Sequence, residues 1–88
     1  MEFLWDAANI AHLGRHKITP QEAEEAILLD SVEFELQQHR GEERVLCFGR
    51  TACGRLLTIV YTVRSGRARV VTGYRMTRQQ QRLYLEGR

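Results

Sequence analysis

Two histidines at helical spacing are the first residues in the sequence that could do chemistry. His12 and His16 lie at positions i and i+4, which on a helix places both imidazoles on one face. Such a pair can bind a metal, but no third ligand follows at a telling distance and no His-Glu-x-x-His pattern occurs. Because an imidazole can accept or donate a proton near neutral pH, the pair could instead serve in acid–base catalysis. A polar helix face without a catalytic role is the alternative interpretation.

Arginines near the C-terminus form the second candidate group. Arg67 and Arg69 alternate with apolar residues, so they share one face of a predicted strand. Arg75 and Arg78 flank the predicted start of the last helix, where guanidinium groups and helix N–H groups could together hold a phosphate. An exposed basic strand edge, which discourages aggregation, is the alternative.

Aromatic residues lie among these arginines. Tyr61 and Tyr74 are on predicted strands and could stack on bases, as aromatic residues do in single-stranded RNA binders. A position in the core is the alternative for both, and Trp5 is expected to anchor the core.

The charge of the chain is distributed unevenly. Residues 1–43 contain three Lys or Arg and ten Asp or Glu, whereas residues 44–88 contain ten Arg and one acid, Glu86. Arginine presents a planar fork that matches a phosphate and stacks on bases. The basic half therefore indicates nucleic acid or an acidic protein as a partner, unless it only pairs with the acidic half.

Length and composition predict a single domain, residues 1–88, of the ordinary globular kind. No apolar run approaches the ~20 residues needed to span a bilayer, and the acidic start lacks the features of a signal peptide. Two cysteines are too few for a disulfide scaffold and lack Cys-x-x-Cys spacing. We expect a cytoplasmic protein, with Cys47 buried in a strand and Cys53 a free thiol in a turn.

Three capping signals place the helices. Asp6 predicts a helix over about residues 7–15. Thr19 and Glu22 form a capping box around Pro20, which predicts a helix over about residues 20–29. Thr77, with Gln80 three residues later, predicts a last helix.

Alternating residues predict strands at 32–36, 44–50, 55–64 and 67–74, and residues 3–5 could add a short opening strand. Ser65 and Gly66 form a two-residue hairpin turn between the last two strands. The order predicts an α+β fold, an antiparallel four-stranded meander with two N-terminal helices and one C-terminal helix.

The alternation also predicts which strand residues share a face of the sheet. One expected set is Val32, Phe34 and Leu36. Another is Ala68, Val70, Thr72 and Tyr74, opposite to Arg67, Arg69 and Val71.

Several short motifs then occur in order along nearly the full chain: Trp5-Asp6, His12-Leu13, Arg15-His16, ITPQEAEEA at 18–26, Gly49-Arg50, Gly54-Arg55-Leu56-Leu57, Arg69-Val70-Val71-Thr72, Met76-Thr77 and Arg82-Leu83-Tyr84. In their order and spacing the chain resembles the BrnT-type ribonuclease toxins, small bacterial proteins with a RelE-like fold. The resemblance implies the toxin half of a toxin–antitoxin pair, which cleaves RNA without a metal or cofactor by activating a ribose 2′-hydroxyl. It also implies an antitoxin of ribbon-helix-helix type, with no membrane partner, in a homodimer or a toxin–antitoxin hetero-oligomer.

The resemblance and the charge pattern together give the candidate site residues. The predicted catalytic set, for holding the phosphate and transferring a proton, is His16, Arg50, Arg55, Arg69 and Arg75. The predicted RNA-binding set is His12, Arg67, Tyr74, Arg78 and Arg82.

The resemblance is incomplete, and one departure is Lys17, which stands where a glycine is common in the family. Tyr74 and Gln80 stand where the family has arginine and glutamate. A second interpretation is therefore an RNA- or antitoxin-binding module of the same fold without nuclease activity. A third, an oligomeric structural protein, rests only on the small core.

Overall fold

The computed structural model of the protein describes residues 1–87, which form three helices and five strands. In chain order these are β1 (Glu2–Phe3), α1 (Ala7–Gly14), α2 (Pro20–Leu28), β2 (Val32–His39), β3 (Glu42–Arg50), β4 (Leu56–Arg64), β5 (Arg67–Arg75) and α3 (Arg78–Glu86). The predicted α+β class is confirmed. Within residues 1–87, no helix has the length and hydropathy needed to cross a membrane.

Each helix begins where its capping signal predicts. The N-caps are Asp6, Thr19 and Thr77. The Thr19 hydroxyl accepts a hydrogen bond from the backbone N–H of Glu22 at 3.1 Å, and the Glu22 carboxylate accepts one from the N–H of Thr19 at 3.0 Å. Thr77 and Gln80 repeat this reciprocal pattern, so the start of α3 is fixed in the same way.

The sheet has five strands and is mixed, because the short opening strand, which lies at Glu2–Phe3 and not at residues 3–5, joins the four-stranded meander. Its order is β1-β5-β4-β3-β2, in which β2 to β5 form the predicted antiparallel meander. β1 pairs in parallel with the start of β5, with Glu2 opposite Arg67 and Phe3 opposite Ala68. A strand of two residues contains too little alternation to indicate its partner or direction, so the sequence could not predict this pairing.

Helices lie against both faces of the sheet. On one face, α1 and α2 cover the larger core, which includes Leu13, Ile27 and Ile59. The opposite face, here called the α3 face, carries a second cluster that includes Phe48 and Tyr84. The buried Tyr84 donates its hydroxyl hydrogen to the backbone oxygen of Asp30 at 2.6 Å, which ties α3 to the loop before β2.

A β-bulge in β2 overturns the prediction that Val32, Phe34 and Leu36 share a buried face. The register shifts between Glu33 and Glu35, so Val32 pairs with Phe48 of the α3 face while Leu36 pairs with Val45 of the opposite face. Cross-strand partners point to the same face, and the extra residue therefore reverses the alternation. β2 is also an edge strand, which leaves Phe34 and Leu36 exposed.

A second bulge, in β5, overturns the predicted face of Thr72 and Tyr74. The register shifts between Val60 and Tyr61 of β4, so that Tyr61 pairs with Val70 but Val60 pairs with Thr72. Residues of β5 after the bulge have exchanged faces relative to those before it. Tyr74 consequently lies on the α3 face and not with Ala68 and Val70.

Candidate functional site

Three neighbouring strands place polar side chains side by side at one end of the α3 face. The second apolar cluster, with Phe48 and Tyr84, does not occupy this end. Thr62 of β4 pairs with Arg69 of β5. Arg44 of β3 precedes Val45, which pairs with Tyr61, so Arg44 lies beside Thr62 on its other side. Because cross-strand neighbours point to the same face, two guanidinium groups flank the buried Thr62.

The hairpin turn between β4 and β5 adds two more arginines to this face. Arg64 lies two residues beyond Thr62 and therefore points the same way. It pairs across the hairpin with Arg67, one of the predicted RNA-binding residues. Four arginines from three strands are thus concentrated at one end of the α3 face.

A cavity of about 280 Å³ lies beside β5, where residues of α1 from one face of the sheet meet the arginines of the other face. Its walls are formed by Ala8, Asn9 and His12 of α1, Arg44 of β3, Arg64 of β4, and Arg69, Val70 and Val71 of β5. The structure therefore brings His12 and Arg69, which the sequence predicted separately, to one place. We call this the arginine cavity.

Asp6 connects the arginine cavity to the helix that carries His12. Its carboxylate accepts a hydrogen bond from Arg69 at 2.6 Å and caps α1 by accepting from the N–H groups of Ala8 and Asn9 at 2.9 and 3.1 Å. The hydrogen bond from Arg69 is the main reason that the pKa of Asp6 lies below its ordinary value. One carboxylate therefore fixes both the start of α1 and the guanidinium on β5.

The remaining charges of the cavity leave it positive. Glu42 lies 2.9 Å from Arg64 and 3.3 Å from Arg44, and the hydrogen bond from Arg64 is the main reason that the pKa of Glu42 is lowered. Asp6 and Glu42 thus face three guanidinium groups in the cavity wall, with Arg67 beside them. Each guanidinium has five N–H donors, more than these carboxylates use, so donors remain for an anion such as a phosphate.

His12 and His16 lie close to each other, as their predicted place on one helix face implies, but their surroundings differ. The Nε2 atom of His12 lies 3.0 Å from the hydroxyl oxygen of Thr72, which holds the half-buried imidazole beside β5. His16 lies just beyond the end of α1 and is exposed, with its ring centroid 6.2 Å from that of His12. His12 lines the arginine cavity, and His16 is not part of its wall.

The other predicted catalytic arginines lie at a different end of the sheet. Arg55 donates to a Glu22 carboxylate oxygen at 2.8 Å and to the backbone oxygen of Lys17 at 3.0 Å. Arg50 forms an ion pair with Asp30 at 3.7 Å. Arg75 is exposed at the end of β5 and lines a second cavity together with Arg55. The structure therefore brings Arg55 and Arg75 together, but not with Arg69.

Tyr74 and Gln80 contact each other under the start of α3. The Gln80 side-chain amide donates to the Tyr74 hydroxyl at 3.0 Å, and the hydroxyl of Thr58 donates to the Gln80 side-chain oxygen at 2.9 Å. The same Gln80 oxygen accepts from the N–H of Thr77. This network joins α3 to β4 and β5, while the predicted RNA-binding residues Arg78 and Arg82 are exposed on α3.

Sequence reasoning missed Arg44, Arg64 and Asp6 as members of one site. The signal for Arg64 was present, because a two-residue turn at Ser65 and Gly66 places the residues on either side of it opposite each other. The place of Arg44 in the site depends on the register between β3 and β4. Because these strands have apolar residues on both faces, the sequence pattern did not determine that register.

No group of three or more His, Cys, Asp or Glu side chains that could hold a metal ion occurs within residues 1–87.

Comparison with known families identifies a match over most of the chain. The family model described as "Ribonuclease toxin, BrnT, of type II toxin–antitoxin system" matches residues 5–80 of the 88-residue chain. No curated protein is significantly similar to the chain. The matched segment includes every residue of the arginine cavity, and the resemblance that the sequence motifs indicated is confirmed.

Proposed function

Because the chain belongs to the BrnT family of ribonuclease toxins of type II toxin–antitoxin systems, we propose that it is the toxin of such a pair and cleaves RNA in the arginine cavity. The observation that carries this proposal is the meeting of one imidazole and three guanidinium groups in a cavity of about 280 Å³. These groups belong to His12, Arg44, Arg64 and Arg69.

The reaction that fits these groups is attack by a ribose 2′-oxygen on the adjacent phosphorus, without a metal or cofactor. A bond forms between the 2′-oxygen and phosphorus, and the bond between phosphorus and the 5′-oxygen of the next nucleotide breaks. The proton of the 2′-hydroxyl passes to a base, and a proton reaches the departing 5′-oxygen. The products are a 2′,3′-cyclic phosphate and a 5′-hydroxyl.

Charge stabilisation is the role we assign to the arginines. Negative charge grows on the phosphate oxygens as the 2′-oxygen attacks, and positioned cationic donors are most effective where charge develops. Arg69 is the best placed of them, since its ion pair with Asp6 fixes the guanidinium and its side chain is only 16% exposed. Arg44 and Arg64, held by Glu42, approach from the neighbouring strands.

Proton transfer is the role we assign to His12. Its ring lies in the cavity wall, and its contact with Thr72 holds it in one orientation. His16, with its ring centroid 6.2 Å away, is near enough to act as the second proton-transfer group on a substrate that extends beyond the cavity. Arg50 and Arg55 do not line the arginine cavity, and their ion pairs with Asp30 and Glu22 are made at the other end of the sheet, so we assign them no role in the cavity.

An antitoxin that covers the arginine cavity would inhibit this activity. The type II family implies an antitoxin partner and an RNA substrate. We propose that the antitoxin is of ribbon-helix-helix type, that it blocks the cavity in a hetero-oligomer, and that the toxin acts in the cytoplasm as a single domain. The positive charge of the cavity would suit acidic side chains of such an inhibitor as well as RNA.

The proposed reaction is tested with a synthetic RNA that the protein cleaves at one position. The same RNA is prepared with a 2′-deoxyribose at that position only, and both are incubated with the protein in EDTA. We expect cleavage of the all-ribose RNA, with a 2′,3′-cyclic phosphate at the new end, and no cleavage of the substituted RNA. Equal cleavage of both substrates would rule out attack by the 2′-hydroxyl.

A further inference from the structure

A second cavity, distinct from the arginine cavity, lies at the opposite end of β5. Its volume is about 280 Å³, and its walls are formed by Gly54, Arg55, Leu56, Arg75 and Gln81. It lies where the loop before β4, the end of β5 and the first turns of α3 meet.

The charge of this second cavity is not neutralised. Arg55 forms an ion pair with Glu22 at 2.8 Å, so its charge is largely offset. Arg75 is exposed and forms no ion pair with any carboxylate of residues 1–87. A cavity wall with one uncompensated guanidinium attracts an anion, and a phosphate matches the fork of its N–H donors.

The spacing of the two cavities suits a chain of nucleotides. Arg69 and Arg75 are six residues apart on β5, which at ~3.3 Å per residue corresponds to about 20 Å. The bulge between them turns Arg75 to the face opposite Arg69, because Arg75 pairs with Leu57 of the α1 and α2 core. A strand that joined the two cavities would therefore pass around the edge of β5.

Along this path the edge of β5 has no neighbouring strand, and α1 packs against β5 beside it. β1 pairs only with Arg67 and Ala68, so the remainder of the strand has no partner strand on that side. His12 and Thr72 contact each other here, between the two arginines. The path thus leads from the second cavity directly to the proposed proton-transfer group.

We propose that Arg75 forms a second RNA-phosphate site, which binds the substrate several nucleotides away from the cleaved bond. The inference rests on the proposed function, since it takes the arginine cavity as the place of cleavage. With a second phosphate site, the affinity of the protein for RNA depends on the length of the RNA. A dinucleotide has one internucleotide phosphate and cannot occupy both sites, whereas an octanucleotide is within the usual footprint of about 4–16 nucleotides of single-strand-binding proteins.

The experiment measures binding of 2′-O-methyl RNA, which lacks the attacking hydroxyl and stays intact. Dissociation constants for a dinucleotide and an octanucleotide are measured over a range of salt concentrations. The proteins compared are the wild type, Arg75→Ala, Arg69→Ala and a matched control, Arg40→Ala. Arg40 is exposed in the turn after β2 and, like Arg75, has no ion pair with a carboxylate of residues 1–87.

We expect Arg75→Ala to weaken octanucleotide binding about 10-fold, to leave dinucleotide binding unchanged, and to reduce the slope of log affinity against log salt by about 0.7. Arg40→Ala should leave the octanucleotide within about 2-fold of wild type at 0.15 M salt, because an exposed charge that contacts no phosphate is largely screened there. Equal effects of Arg75→Ala and Arg40→Ala on the octanucleotide, or no gain in wild-type affinity with length, would overturn the second site. The proposed function would still stand in either case, provided that Arg69→Ala weakens binding of both RNAs. If Arg69→Ala changes neither, the arginine cavity itself is not the binding site.

Discussion

At the scale of single residues, the two histidines differ in position. His12 lines the arginine cavity together with Arg69, whereas the more exposed His16 does not. Proton transfer by a positioned side chain contributes about 10²–10⁴-fold to a rate. We therefore expect His12→Ala to lower the rate of RNA cleavage by about that factor, and His16→Ala to lower it less. Rates measured with saturating RNA in EDTA test this. The reverse order of the two effects would move the proton-transfer role to His16.

The two thiols differ in their surroundings. Cys47 is 1% exposed in β3, and burial raises the pKa of its thiol to about 12, whereas Cys53 is exposed in the turn before β4. Since the thiolate is the reactive form, we expect one equivalent of a thiol reagent to react quickly in the folded protein, at Cys53. The second thiol, that of Cys47, should react only after the protein is denatured. Mass spectrometry of the labelled peptides identifies the site, and rapid labelling of Cys47 would contradict the described core.

The ion pair between Glu22 and Arg55 makes stability dependent on pH. The hydrogen bond from Arg55 is the main reason that the pKa of Glu22 is lowered in the folded protein. The contribution is therefore complete above the unfolded-state pKa of about 4.3 and is lost as pH falls through the lower folded-state pKa. We expect Glu22→Gln to be less stable than wild type at pH 7, with the difference shrinking below about pH 4. Urea unfolding at several pH values measures this, and a difference that is constant with pH would contradict it.

At the scale of elements, the close approach of α2 to β3 depends on a glycine. A Cβ atom added at Gly49 would lie 1.9 Å from the backbone oxygen of Ala26, which cannot move without displacing α2. We expect Gly49→Ala to reduce the free energy of unfolding by at least the ~1–3 kcal/mol typical of overpacking. Gly14→Ala is the matched control, because a Cβ there meets no atom within 4 Å. Thermal unfolding compares the two, and equal melting temperatures would contradict the described packing.

The helices show how far local signals can predict structure. Asp6, Thr19 and Thr77 cap the three helices as predicted, because capping depends on side chains within three residues of the helix start. The last three strands lie within two residues of their predicted bounds, but β2 continues to His39 instead of ending at Leu36, because its polar second half gives no alternation of apolar residues. The faces of β2 and β5 were wrong beyond their bulges, since one extra residue reverses the alternation and no residue type at Phe34 or Val71 marks the insertion.

The candidate site was predicted only in part, because it is assembled by long-range register. His12 and Arg69 each had a local pattern, but their shared cavity depends on where α1 lies against β5. Arg44 and Arg64 join it through pairing of three strands, which single-sequence patterns do not fix. The catalytic roles predicted for Arg50, Arg55 and Arg75 stay predictions, and their contacts place them away from the arginine cavity.

At the scale of the whole molecule, the acidic and basic halves of the sequence are joined by ion pairs in the folded structure. The acidic half supplies Asp6, Glu22 and Glu42, each of which pairs with an arginine of the basic half. These pairs neutralise much of the basic half and fix guanidinium groups in place around the sheet. Positive charge without an ion pair within residues 1–87 remains at Arg75 and also at other exposed arginines, among them Arg78 and Arg82 of α3.

The most direct test of this account is cleavage of total RNA in the presence of EDTA by the wild type, Arg69→Ala and Arg40→Ala. Each variant is first shown to be folded by its melting temperature and by protection of Cys47 from thiol reagents. We expect cleavage by the wild type and by Arg40→Ala, and a loss of about 10²–10³-fold in Arg69→Ala, the effect of removing one donor that stabilises developing negative charge. Undiminished cleavage by a folded Arg69→Ala, or no cleavage by the wild type, would contradict the assignment of the arginine cavity as a ribonuclease site.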